Sequence, residues 1–267
     1  MPLRNADRLD FPDSNPFCGR LSSITRFDRI SGEPLKPIPP FHSMANRYFR
    51  EMVSHSDFPC LGAKAVLAKG DYAMGAYSDM TSTAVAEGVC HDLLKFREMF
   101  SDDDGMFSFV AAFEWPELNE ELKGASAYFT LLRNMRTADS ANGFSWDPKV
   151  SRDVDDPHFA FSVAGHGYFV PLFYPAAYFP ARRSDVSFVV FNAHDVFAGL
   201  RSRGLFAAFR DKIRQRQARI GIEVDPRLGD FGAVNQFDQH VLADPEKECQ
   251  VGAIRDAILS KCPFGHE

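Results

Sequence analysis

The 267-residue chain lacks the apolar run that a membrane-spanning helix needs. Its longest apolar stretches, Val186 to Phe191 and the proline-broken Tyr168 to Tyr178, fall well short of about 20 residues. It also lacks the phosphate-cradling Gly-x-x-x-x-Gly-Lys-Ser/Thr, the dinucleotide fingerprint Gly-x-Gly-x-x-Gly, the nucleophile elbow Gly-x-Ser-x-Gly and the zinc helix His-Glu-x-x-His. Their absence argues against the corresponding nucleotide, hydrolase and metalloprotease sites. Positive charge is in deficit: 30 Lys and Arg against 36 Asp and Glu give a net charge of −6, which disfavours non-specific binding to nucleic acid. The five cysteines, Cys18, Cys60, Cys90, Cys249 and Cys262, are odd in number and include no Cys-x-x-Cys. That suits a reducing compartment rather than a disulfide framework or zinc ribbon. Met1 to Asp10 has no apolar segment of the kind a secretory leader carries, so the expectation is a cytoplasmic protein.

What the chain has in excess is phenylalanine, 26 residues against 2 Trp and 7 Tyr. Either a large aromatic core or an apolar pocket for a flat ligand would use so many. Residues 1–41 read as an extended arm, since Pro34, Pro37, Pro39 and Pro40 forbid helix. From Ser43, a plausible N-cap, the 3-and-4 spacing of Ala45, Tyr48, Phe49, Met52 and Val53 predicts a helix. Short strands are expected at Ala63 to Ala68 and Asp71 to Tyr77, a helix at Thr83 to Phe100 and a buried strand at Met106 to Phe113. A helix starting near Pro116 carries Leu118, Leu122, Ala125, Phe129 and Leu132 on one stripe. Asp139 to Pro157 reads as a polar loop. Strands at Phe159 to Val163, Tyr168 to Phe173 and Val186 to Asn192 follow, then a basic helix at Leu205 to Ile220 and a short one at Val251 to Ser260. The expected fold is α+β, with a central mixed or antiparallel sheet, flanking helices and one domain over residues 42–267.

Several residues could carry chemistry. His166 stands between two glycines, which remove side-chain bulk and leave room for a planar ligand beside the imidazole; a glycine bulge with a surface histidine is the plain alternative. Arg182 and Arg183 form a pair able to clamp carboxylates, though surface ion pairing is the common use of such residues. His194 ends a buried strand, where it could serve as ligand, proton donor or cap. Cys60, in a tight turn after Phe58-Pro59, is either a thiolate ligand or a small buried hydrophobe. His55-Ser56-Asp57 matches half of a non-haem iron triad, a tripeptide common by chance.

Taken together, Phe58-Pro59-Cys60-Leu61-Gly62, the Trp115 to Leu132 segment with Tyr128-Phe129, Asp156-Pro157-His158-Phe159 leading into Phe161 to Gly165, and Arg182-Arg183-Ser184 before Val189 to Asn192 resemble the YqcI/YcgG-type proteins over roughly residues 45–220. The resemblance implies a haem-dependent N-oxygenase, a monooxygenase or peroxygenase that hydroxylates a guanidino or amino nitrogen of an arginine- or lysine-like molecule in specialised metabolism. The cofactor implied is protohaem, haem b. Some relatives have His-Pro where Tyr174-Pro175 stands here, and an Arg where Asp185 stands. The axial ligand is therefore expected at His166 first, with Tyr174, His194 and Cys60 as alternatives. Arg182 and Arg183 are expected on the propionates, Phe169 on the porphyrin, Glu114 or Glu117 on the substrate cation, and His194 and Glu114 in catalysis. The partners expected are a small cationic amine or guanidine, dioxygen or peroxide, and an electron-donor protein. A homodimer is compatible, whereas nucleic acid and membrane are not expected. Two other functions share these residues: haem binding or sensing without turnover, and metal-free binding of a small molecule in which the phenylalanines are core.

Overall fold

The computed structural model describes residues 24, 39–100 and 105–259. Most of the expected N-terminal arm, and with it Cys18 and Cys262, lies outside the described residues. The arm's expected end at residue 41 is too late, because helix α1 (Pro40–Ser54) already begins at Pro40. Proline at a first helical position forfeits only an N–H that has no intrahelical partner, so Pro40 starts the helix and Ser43 lies inside it. α1 buries Ala45, Phe49 and Val53.

The expected strand at Ala63 to Ala68 is instead helix α2 (Leu61–Lys69). Its boundaries have local causes: the Cys60 sulfur caps the start, and Gly70 at φ 68° ends it in the left-handed conformation. Strand β1 (Tyr72–Asp79), helix α3 (Thr83–Met99), capped by Ser82, and strand β2 (Ser108–Trp115) follow. Helix α4 (Glu121–Ala141) starts later than the position near Pro116. The Leu118 carbonyl accepts from the Ala176 N–H at 3.3 Å and so ties the lead-in to another segment. The chain continues through β3 (Phe161–Val163), β4 (His166–Phe169), β5 (Leu172–Phe173), a 3-10 turn at Pro180–Arg182, β6 (Ser187–Ala193), α5 (His194–Ser202), α6 (Phe206–Arg219), α7 (Asp238–Val241) and α8 (Glu248–Leu259).

The sheet order is β1-β2-β6-β4-β3, with β5 also on β6. β1 and β2 are parallel, as the crossover through α3 requires, and the remaining pairs are antiparallel. The architecture is α+β with a mixed six-stranded sheet.

Alternation along the strands decides what each face does. Ala73, Tyr77, Phe109, Ala111, Tyr168, Val189 and Phe191 point to one face, where they join the larger core with α3 and α4. Tyr72, Met74, Val110, Ala112, Phe188 and Val190 point to the other and form a second core with α1 and α2. Among the described residues no helix is long and apolar enough to cross a membrane.

Candidate functional site

The second face holds an apolar cavity of about 300 Å3. Its floor is Ser108, Val190 and Asn192 of the sheet, flanked by Phe169 and Phe173. Phe49 and Val53 of α1 and Cys60, Ala63 and Val66 at α2 make one wall, while Phe206, Phe209 and Ile213 of α6 cover it. The floor is polar but internally satisfied: Ser108 Oγ donates to Asn192 Oδ1 at 2.9 Å, and Asn192 Nδ2 to the Phe169 carbonyl at 3.4 Å. An apolar guest therefore displaces no hydrogen bond from these groups.

The charged groups on the lining are Arg182, Arg210, Arg214 and Asp230, among the described residues. Three guanidinium groups against one carboxylate leave 3 − 1 = +2. Arg210 Nη1 donates to Asp230 Oδ2 at 2.5 Å and Arg214 Nη2 to the Leu228 carbonyl at 3.0 Å. Arg182 differs. It is 9% exposed, it forms no ion pair among the described residues, and its Nη1 is buried without a hydrogen-bond acceptor. Its guanidinium lies 4.9 Å from the Phe173 ring centre and 5.9 Å from that of Phe169. Burial pushes its pKa down to about 10, against the favourable influence of the Cys60 sulfur and the Tyr128 hydroxyl.

Cys60 is the expected ligand that reaches this cavity. It is half-buried at the N-cap of α2, and its Sγ accepts from the Ala63 N–H at 3.5 Å. An iron-bound sulfur in that place would keep a backbone donor, the kind of contact that tunes metal–thiolate bonds.

The other expected ligands lie elsewhere. His166 shares the strand parity of Tyr168 and faces α3, where Arg97 Nη2 approaches its Nδ1 at 3.4 Å. Arg97 also pairs with Asp195 at 2.7 Å. Burial and the arginine both push the His166 pKa down. Its glycine neighbours serve the hairpin. Gly165 (φ 75°) and Ala164 (φ 52°) form the two-residue turn joining Val163 to His166. Gly167 lets Asp147 approach, its N–H donating to Asp147 Oδ2 at 2.9 Å. Tyr174 is fully buried with its ring against Gly124 of α4, its hydroxyl has no partner, and burial raises its pKa far above the ordinary phenol value. His194 opens α5, its ring centre 4.2 Å from that of Phe231 and its Nε2 buried without a partner; it does not line the cavity.

Arg183 turns outward, donating to the carbonyls of Ala177 at 2.9 Å and Tyr178 at 3.2 Å. Glu114 and Glu117 are exposed, Glu114 near the opposite end of β2 from Ser108, six residues or about 20 Å along the strand. Neither lines the cavity. His55 and Asp57 are exposed, and no group of three or more metal-binding side chains occurs among the described residues. Of the expected cofactor residues, the cavity thus gathers Cys60, Phe169 and Arg182.

Two features were missed from the sequence. Arg210, Arg214 and Asp230 come from α6 and the segment after it; the basic side of α6 was visible, but its pairing with a cavity was not. The second is His240, fully buried behind Arg182. Tyr128 Oη donates to the Val170 carbonyl at 2.7 Å, the Val170 N–H donates to His240 Nε2 at 3.3 Å, and His240 Nδ1 then donates to Tyr128 Oη at 2.9 Å. This closed circuit fixes the neutral tautomer and anchors the backbone between Phe169 and Phe173. Burial, aided by Arg182, pushes the His240 pKa down to about 3.

Neither the curated proteins nor the solved structures compared with this chain include a match to it. The YqcI/YcgG family pattern matches residues 49–264, a span that takes in the cavity's walls, floor and cover. With that span covering most of its length, the chain belongs to the YqcI/YcgG family.

Proposed function

We propose that this protein is a haem-dependent oxygenase that hydroxylates an amino or guanidino nitrogen of a small metabolite in the cavity on the second face of the sheet. The observation that carries the reading is the coincidence, on one apolar cavity, of a cysteine sulfur with an excess of two positive charges. Protohaem is a flat apolar ring with two carboxylates and an iron that takes a thiolate. The phenylalanine walls suit the ring, Cys60 would hold the iron, and the half-buried Arg210 and Arg214 would meet propionates near solvent. When bound, haem supplies an iron centre that activates dioxygen or peroxide.

The chain's own part is to keep that chemistry dry and oriented. Phe206, Phe209 and Ile213 cover the cavity against water, and the Ala63 N–H steadies the sulfur. The circuit of Tyr128, Val170 and His240 holds Phe169 and Phe173 in place. Asp230, the carboxylate on the lining, gives Oδ2 to Arg210, while its Oδ1 is buried without a partner and could accept from an amine or guanidine N–H. The charge that Arg210 already neutralises there favours, as a second reading, haem binding without turnover of a cation. Titrating the purified protein with haemin tests the main reading. A saturable Soret band at one haem per chain, followed by hydroxylation of an amine or guanidine with reductant and oxygen or with peroxide, is expected. A Soret band without product leaves the second reading; no stoichiometric haem overturns both.

A further inference from the structure

We infer that Arg182 is the specificity residue of the cavity: it selects its small molecule by pairing with a carboxylate that the molecule carries. This rests on the oxygenase reading only in calling that molecule the substrate; the binding itself does not depend on haem. The starting point is the uncompensated guanidinium. An arginine that is 9% exposed, with Nη1 sealed from water and no acceptor within reach, is an expensive arrangement in a folded protein. The faces of Phe173 and Phe169 offset part of that cost through cation–π contacts. They accept no hydrogen bond along the N–H directions, so a planar acceptor is missing, and a carboxylate fits a guanidinium fork.

The other cavity arginines do not share this need. Arg210 is bonded to Asp211 and Asp230, and Arg214 to a backbone carbonyl. Both are half-buried on α6, where a propionate can remain hydrated. Arg182 is set deeper, beside the neutral His240 and Tyr128. On the carboxylate side, Asp230 gives Oδ2 to Arg210 while its Oδ1 is buried without a partner, and Glu114 and Glu117 are remote. Arg182 therefore recognises an anionic handle on the guest, with the phenylalanine walls taking its apolar parts.

The test is calorimetric titration of the full-length protein with 4-phenylbutyrate and with its uncharged amide, 4-phenylbutanamide, beside a haemin titration. The wild type is expected to prefer the carboxylate by at least about tenfold, a difference of about 1.4 kcal/mol. Arg182→Gln is expected to abolish that preference and Arg182→Lys to restore part of it. Circular dichroism establishes that each variant is folded, and the wild-type preference needs no variant. Equal wild-type affinity for the two compounds overturns the inference. So does an Arg182→Gln variant that keeps the preference, or one whose main defect is weakened haemin binding, which would make Arg182 a propionate partner. Absence of haem binding with the carboxylate preference intact would remove the oxygenase reading and leave this inference standing.

Discussion

Cys60 and His166 lie on opposite sides of the same sheet: the sulfur borders the cavity beneath α6, whereas the imidazole meets Arg97 of α3 at 3.4 Å. One bound porphyrin cannot use both. Of the four residues that the sequence offers as iron ligands, this separates Cys60, which borders the cavity, from His166, which sits at the α3 interface.

Tyr174, the phenolate alternative, behaves as core. Its ring fills the space a Cβ on Gly124 would take, since such an atom would sit 2.5 Å from Tyr174 Cε2, and its hydroxyl is buried without a partner. Tyr174→Phe should therefore be neutral or stabilising by up to about 1 kcal/mol, with haem uptake unchanged. Gly124→Ala should destabilise by about 1–3 kcal/mol. Urea unfolding of both variants checks this; a Tyr174→Phe protein that loses its Soret band would return the tyrosine to the site.

The hairpin carrying His166 stores strain that can be released. Ala164 has φ 52°, which side chains other than glycine, asparagine and aspartate adopt at a cost. Its N–H is held by Asp139 Oδ1 at 2.8 Å, and Asp139 Oδ2 accepts from Arg136 at 2.9 Å. Ala164→Asn should stabilise by about 0.5–1 kcal/mol. Asp139→Ala should destabilise by about 3–5 kcal/mol, because it leaves Arg136 buried and unpaired. The midpoints of denaturant unfolding measure both, and opposite signs are the expected pattern.

Acid should weaken the fold through His240. Its pKa is depressed in the folded protein to about 3, against an unfolded value near 6.5, so the unfolded chain binds the extra proton. The stability contributed by the neutral ring is complete above about pH 6.5 and is lost progressively as pH falls toward 3, by about 4–5 kcal/mol at the lower end. His240→Gln should flatten this part of the stability–pH curve. Unfolding by urea at a series of pH values measures the slope, and an unchanged slope in the variant would assign the acid sensitivity to other groups.

The strands β2, β3 and β6 and helices α1, α3 and α6 were legible because each combines a sustained period with recognisable ends. The failure at Ala63 to Ala68 is instructive: a short apolar run fits either a buried strand or a helix, and periodicity alone does not separate them. The deciding signals were at its ends, where Cys60 acts as cap and Gly70 as stop. Glycines around His166 fit either room for a ligand or a local backbone bend, and the backbone uses them for a tight turn and a close carboxylate. The cavity itself combines side chains more than a hundred residues apart, so the register that sets Phe169 and Arg182 against Cys60 is not a local property. Phenylalanine enrichment pointed correctly to a large aromatic interior, but Phe159, Phe161 and Phe191 turned to the first face while Phe169, Phe173 and Phe179 turned to the cavity.

The central claim is that this cavity holds haem through Cys60. Haemin titration of Cys60→Ser and His166→Ala beside the wild type, read by the position and stoichiometry of the Soret band, tests it most directly. Cys60→Ser is expected to shift the band and weaken haem binding by about tenfold or more, while His166→Ala is expected to leave position and stoichiometry as in the wild type. A shifted or missing band in His166→Ala with Cys60→Ser unaffected would contradict the account.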